Sequence, residues 1–270
     1  MSTPIHQLLS LEGKTALVTG GSRGLGLQIA EALGEAGARV MLTSRKAGDL
    51  EESAGHLKER GIEAIWIAAD MSQPSEIVRV TQDAMSRLGH VDILVNNAGA
   101  TWGCAAEDHP LEAWDKVMNL NIRSIFLLSQ AIGKHSMIPR KAGKIINVAS
   151  IAGLAGNSAD MAMVAYNTSK AAVVNFTRTL AGEWGKYNIN VNAICPGTTV
   201  TALSQANLER RAEEEGLPVA EMEKKRNDAI PLGRPNTPSD IAALAVFLAS
   251  AGARNITGQS FNVDGGLIFD

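Results

Sequence analysis

An α/β fold is predicted for this chain of 270 residues: a doubly wound, mostly parallel sheet of seven strands with helices on both faces. Three observations predict it. Short β-branched runs alternate with longer helical stretches throughout. The central runs are nearly continuous apolar sequence, as strands covered on both faces require. Between them, apolar residues recur at helical spacing.

The strand candidates, in order, are 15–19, 39–43, 64–68, 93–96, 144–148, 190–194 and 260–263. After the first, Leu25, Ile29, Ala32, Leu33 and Ala36 fall on one helical face, and 112–132 repeats the pattern. Right-handed crossovers follow from chain chirality. No internal repeat, low-complexity tract or linker interrupts the series, so 1–270 is predicted to be one domain. The exception in texture is 201–228, charged and broken at Gly216–Pro218. It is expected to form two solvated helices and to act as a substrate lid, a common use of insertions in α/β folds.

Composition narrows the class. A 45% hydrophobic content excludes disorder, and a net charge of -3 gives no reason to expect nucleic acid or an anionic membrane as partner. No apolar run is long enough to span a bilayer, and the first residues lack the pattern of a secretion signal, so a cytoplasmic location is expected. Cys104 and Cys195 read as free thiols. His6, His56, His90, His109 and His135 are scattered, and no metal site is expected.

The first strand runs into Thr19-Gly20-Gly21-Ser22-Arg23-Gly24-Leu25-Gly26, and a helical pattern follows. That order is the dinucleotide-binding arrangement of a Rossmann fold. Gly20 permits a tight turn, Gly24 lets the backbone approach a pyrophosphate, and Gly26 allows the helix to pack on the strand. The pyrophosphate then meets free N–H groups at a helix N-terminus, with Ser22 and Leu25 in the same turn. NAD sites place a carboxylate roughly 20 residues further on. Here Ser44 and Arg45 stand instead, with Arg23 in the turn itself, and Asp49 comes later, where it starts a helix. Guanidinium groups suit a 2′-phosphate and no carboxylate repels it, so the predicted cofactor is NADPH rather than NADH.

Tyr166 and Lys170 stand four apart at the start of a helical stretch and share a face. A free phenol ionises near pH 10, so only about one in a thousand is phenolate at neutral pH. A nearby ammonium, with an oxidised nicotinamide adding a second positive charge, is expected to lower that value and bring the tyrosine into the range of acid–base work.

Taken together, these motifs resemble the short-chain dehydrogenase/reductase family along about residues 11–266. The matching positions arrive in the family's order: Thr19 to Gly26, Asp70, Asn96-Asn97-Ala98-Gly99, Asn121, Ser150, Tyr166 with Lys170, Pro196-Gly197, and Val263-Asp264-Gly265-Gly266. The resemblance implies that Asp70 and Met71 meet the adenine edge. It places the Asn96, Asn97, Ala98 and Gly99 run along the cofactor, Asn96 and Ala98 near the adenosine ribose. Ser150 polarises the substrate carbonyl, Tyr166 gives or takes the proton, and Lys170 holds the nicotinamide ribose. Asn121, preferred over Asn119 because Asn-Ile-Arg-Ser fits the pattern, anchors a water that links Lys170 to solvent. Pro196, Gly197, Val200 and Thr201 flank the nicotinamide. The chain departs from the pattern between Ser150 and Tyr166, where 157–164 carries extra residues including Met161 and Met163.

The implied reaction is hydride transfer from NADPH to a ketone, giving a secondary alcohol. The similarity is strongest to 3-oxoacyl-(acyl-carrier-protein) reductases, with gluconate 5-dehydrogenase-like sugar-acid enzymes as the alternative. A non-catalytic nucleotide sensor is the remote third, disfavoured because Ser150, Tyr166 and Lys170 are all present. The lid offers Leu203, Leu208, Leu217 and Met222 to an acyl chain and many Arg and Lys side chains to a sugar acid. The resemblance also implies a homotetramer, with 112–132 and Val164–Trp184 pairing across one two-fold axis and 261–270 packing at another.

Overall fold

A computed structural model describes residues 3–156 and 162–269. Its sheet has seven strands: β1 (Thr15–Thr19), β2 (Arg39–Ser44), β3 (Ala64–Ala68), β4 (Ile93–Asn96), β5 (Gly143–Val148), β6 (Ile189–Pro196) and β7 (Ser260–Val263). Their order is β3-β2-β1-β4-β5-β6-β7, and every pairing is parallel. The chain steps outward from β1 to β3, then returns to lay β4 on the other side of β1. At that reversal the connections leave on opposite faces, and a crevice opens beyond the strand ends.

The apolar runs are explained by which face each residue serves. Ala16, Val18, Val40, Leu42, Ile93 and Val95 belong to one buried cluster, which includes Ile29 and Leu33 from the helix Gly24–Glu35 and Ile241 and Leu248 from Pro238–Ala249. Leu17, Met41, Leu94, Ile145 and Val191 face the other way, toward Val80 of Pro74–Leu88 and Leu128 of Ser124–Ile132. Successive strand residues point to opposite faces, so burial of both leaves no polar alternation.

The predicted helix 112–132 is present with a local change of pitch. Leu111–Met118 and Ser124–Ile132 are α-helical, and Asn119–Arg123 between them is a π turn. Such a turn inserts one residue into the helical ladder and often marks a functional position. The stretch 201–228 folds as Ala202–Glu215 and Val219–Asp228. Gly216 ends the first at φ 67, a left-handed conformation suited to glycine. Among the described residues no helix is long and apolar enough to cross a membrane.

Candidate active site

At the strand ends a cleft of about 590 Å³ lies over the glycine turn. Gly20 adopts φ 66 and Gly24 φ 56, both in the region open to glycine. A Cβ on Gly26 would collide with the Gly20 carbonyl oxygen, so only glycine lets this helix start so close to the strand. Arg23 is the N-cap, and no side chain caps the first helical N–H groups. Gly20, Ser22, Arg23, Gly24 and Leu25 line the cleft, while Gly26 lies beneath it as packing.

The end of the cleft expected to take adenosine is charged. Ser44 and Arg45 line the cleft, joined by Lys46, and Asp70 and Met71 close the far side. Ser44 Oγ is buried and has no hydrogen-bond partner among the described residues, an acceptor and donor free for a ligand. Asp49, expected only to start a helix, does stand in the first turn of Ala47–Glu59 but also lines the cleft. Asp70 is partly satisfied, since its carboxylate accepts from Ser72 N at 3.0 Å and Ser72 Oγ at 2.8 Å. Three cations, Arg23, Arg45 and Lys46, therefore face two carboxylates. The glycine cradle, the unpartnered Ser44 hydroxyl and the cation excess fit a phosphorylated dinucleotide.

The Asn96–Gly99 run divides between two jobs. Asn97, Ala98 and Gly99 line the cleft. Asn97 also braces the glycine turn, its Nδ2 donating to the Thr19 carbonyl at 2.9 Å. Thr19 Oγ1 in turn accepts from the Asn97 and Ala98 N–H groups, both at 3.0 Å. Asn96 departs from the expected place beside the ribose. It is buried, and its Nδ2 donates to Asn147 Oδ1 at 2.8 Å and Ser129 Oγ at 3.2 Å. Asn147 passes the chain on to Thr177 Oγ1 at 2.9 Å. Side chains alternate along a strand, and the face of β4 that carries Asn96 is covered by helix, which leaves a polar network under the site rather than a cofactor contact.

Ser150, Tyr166, Lys170 and Asn121 converge beyond Gly99. Ser150 ends the β5 segment and caps the 3₁₀ turn Ile151–Gly153, its Oγ accepting from Ala152 N at 3.1 Å. Tyr166 and Lys170 lie one turn apart in Val164–Trp184, and the Lys170 Nζ is 5.6 Å from the phenol ring centroid. Tyr166 is hydrogen-bonded to Ser150. A Cβ on Gly99 would lie 3.7 Å from Lys170 Nζ and 3.4 Å from Asn121 Oδ1, so the cleft ends on these groups. Asn121, in the π turn, is wholly buried. Its Oδ1 accepts from Ala100 N at 2.7 Å, and its Nδ2 donates to the Ala100 carbonyl at 2.8 Å and Ser169 Oγ at 2.9 Å.

In the protein alone the tyrosine is raised rather than lowered. Burial pushes the Tyr166 phenol above its usual 10, with the Ser150 hydrogen bond acting against it. Lys170 is itself pulled down to about 8 by burial. Its amine donates to the Val148 carbonyl at 2.9 Å, a dipole in place of a counter-charge.

Pro196 ends β6, and Gly197 follows in a contact so close that a Cβ would sit 2.6 Å from Asp264 Cβ. Asp264 accepts from Gly266 N and Ile268 N, both at 2.9 Å, which makes the Asp-Gly-Gly motif a structural turn. Val200 is half-exposed just ahead of Thr201, which lines the cleft and caps Ala202–Glu215 by accepting from Ser204 N at 3.2 Å. Cys104 N donates to the Ala162 carbonyl at 3.0 Å, tying the loop after Gly99 to the start of the tyrosine helix. Trp102 in that loop is half-exposed, with Lys116 Nζ 5.7 Å from its ring. Of the extra segment 157–164, residues 157–161 lie outside the described residues. Sequence reasoning missed Lys46, Asn147 and the bracing role of Thr19. The signals were a second cation beside Arg45 and a polar residue inside an apolar strand.

The family described as short chain dehydrogenase matches residues 14–212. D-beta-hydroxybutyrate dehydrogenase of Cupriavidus necator is 39% identical over 96% of this chain and 99% of its own length. 2-Dehydro-3-deoxy-D-gluconate 5-dehydrogenase of Bacillus subtilis is also 39% identical, over 97% of each chain. The rhamnolipids biosynthesis 3-oxoacyl-[acyl-carrier-protein] reductase of Pseudomonas aeruginosa is 37% identical over 97% of this chain and 99% of its own. A crystal structure of a singly substituted actinorhodin polyketide ketoreductase with NADPH superposes with a TM-score of 0.90 at 34% identity, covering 94% of this chain and 97% of that one.

Proposed function

Because this chain belongs to the short-chain dehydrogenase family, we infer that it reduces a ketone to a secondary alcohol with NADPH, and that its substrate is a 3-oxoacyl thioester. The hydrogen-bonded pair of Ser150 and Tyr166 above Lys170 carries the reaction class. NADPH, when bound, supplies the hydride. Ser150 donates a hydrogen bond to the carbonyl oxygen and stabilises the negative charge that develops there. Tyr166 gives its phenolic proton to the same oxygen. A phenol held above its usual range by burial stays protonated at neutral pH, which is the form a donor needs. Lys170 stands where it can bind the ribose and return a proton to the tyrosine. Arg23, Arg45 and Lys46 hold the 2′-phosphate.

The substrate reading rests on charge around the tyrosine. The described segments nearest the catalytic groups in sequence, 100–104, 150–156, 162–169 and 196–201, contain no charged side chain. Hydroxybutyrate and gluconate derivatives, named for two relatives, are carboxylates and need a cation there. A 3-oxoacyl thioester has a neutral reacting end. Ala202–Glu215 and Val219–Asp228, which we read as the lid over it, pair Arg210, Arg211, Lys224 and Lys225 with carboxylates of their own. Exposed Phe126 and Val164 on the two predicted pairing helices, with Leu111 just before the first, support the homotetramer, which light scattering would test.

A panel of acetoacetyl thioester, acetoacetate and a keto-gluconate, each assayed for NADPH oxidation, tests the reading. The thioester is expected to have the highest kcat/KM, and a higher value for either carboxylate refutes it. A higher kcat/KM with NADH than with NADPH would refute the cofactor assignment.

A further inference from the structure

Ser53 lies inside the helix Ala47–Glu59 on the same buried face as Leu50, Ala54 and Leu57. Its Oγ is 2.8 Å from the Asp49 carbonyl oxygen, the ordinary partner one turn back, and also 2.8 Å from the Ser22 carbonyl oxygen in the glycine turn. Helix propensity and burial would favour alanine at such a position, because serine competes for backbone groups. The second contact gives the hydroxyl a use. Resting on the NADPH reading above, we propose that Ser53 is a positioning residue for the 2′-phosphate subsite, locking the turn that carries Arg23 to the helix start that carries Arg45 and Lys46.

The two cation-bearing segments follow different strands, β1 and β2. Backbone bonds join their bases, with Gly20 N donating to Thr43 O at 2.7 Å and Gly21 N at 3.2 Å. Past Gly21 the segments separate, and Arg23 is exposed at the helix cap with no side-chain cap bond. A phosphate gripped from both sides is sensitive to the gap between them. The pyrophosphate cradle that both cofactors share keeps anchors of its own without Ser53, Gly20 N and Gly21 N on Thr43 O and Asn97 Nδ2 on Thr19 O. Ser53 therefore acts on the group that distinguishes NADPH from NADH.

The test is calorimetric titration of NADPH and NADH into the wild type and Ser53→Ala, with no substrate present and with folding checked by circular dichroism melts. Loss of one hydrogen bond is expected to raise the Kd for NADPH about tenfold and that for NADH less than about threefold. In an Arg23→Ala background the same substitution is expected to change the NADPH Kd less than about twofold, because the positioned group is gone. An equal loss for both cofactors, an unchanged NADPH Kd, or full additivity with Arg23→Ala overturns the positioning role while leaving the cofactor reading intact. Tighter NADH than NADPH binding by the wild type overturns the cofactor reading and this proposal with it.

Discussion

Gly153→Ala is expected to slow turnover without disturbing cofactor binding. Gly153 closes the 3₁₀ turn that follows Ser150, and its φ is not positive, so alanine can adopt its backbone. The obstacle is space. A Cβ there would lie 2.5 Å from the Lys170 carbonyl carbon, 2.6 Å from its oxygen and 2.7 Å from Ala171 N. These are backbone atoms of a helix and cannot step aside singly. Ordinary contact begins at 3.4 Å, so moving from 2.5 to 3.4 Å requires the turn to retreat by about 0.9 Å. Ser150 is bound into that turn through Ala152 N and moves with it, away from Tyr166. A misplacement of about 1 Å can cost on the order of 100-fold in rate. We expect kcat for ketone reduction to fall about 30- to 100-fold, overpacking to cost about 1–3 kcal/mol of stability, and the Kd for NADPH to change less than about threefold. NADPH oxidation at saturating ketone, with calorimetry and a thermal melt on the same protein, measures all three. A folded variant with a clear loss of Tm but kcat within about threefold of wild type would show that the turn yields without moving Ser150, or that Ser150 is not needed.

Other perturbations separate the remaining roles. Tyr166→Phe is expected to reduce turnover by roughly 10²–10⁴-fold or more while NADPH binding stays measurable by calorimetry, and retained turnover would remove the tyrosine from the mechanism. Asn96→Ala leaves Asn147 Oδ1 without its donor, so it should cost about 1–3 kcal/mol in denaturant unfolding. The NADPH Kd should stay unchanged in that variant, and a large loss of affinity would restore Asn96 to the cofactor. Lys144 and Lys170 are both pulled down to about 8 by burial. Between that value and about 10.4 the unfolded chain holds protons that the folded chain has released, so both contribute a rise in stability as pH increases through this window. Below it both states are protonated and the burial cost persists. Lys144→Met, at the start of β5 and away from the catalytic groups, is expected to flatten the dependence of Tm on pH above 8. An unchanged slope would contradict the depressed value.

All seven strands were legible because each is a short apolar run flanked by turn residues, and their bounds shifted only where strands pick up an extra rung. β6 gained Ile189, Cys195 and Pro196 because β5 pairs with it from Ile189 to Ile194 and β7 from Ala193 to Pro196. The glycine turn and the Tyr166–Lys170 spacing were readable for a similar reason, since both depend on residues close in sequence. The roles of Asn96 and Asp49 were not. Asn96 adjoins cleft residues in sequence, yet alternation along β4 sends its side chain to the helix-covered face. Asp49 was read as a helix start, and the tertiary fold brings that start over the cleft.

By itself the sequence determined the mostly parallel, doubly wound class of the sheet, the cradle that only glycine can form, and the helical face shared by Tyr166 and Lys170. These follow from local geometry and from which residues must be buried. Only the tertiary structure decided how ionisable groups behave once assembled. The tyrosine was expected to be drawn down by a neighbouring ammonium together with an oxidised nicotinamide; in the protein alone, enclosing both side chains in the same low-dielectric site disfavours each charge. The phenol rises and the lysine falls. Desolvation depends on everything that surrounds a group, and no spacing of four residues records it.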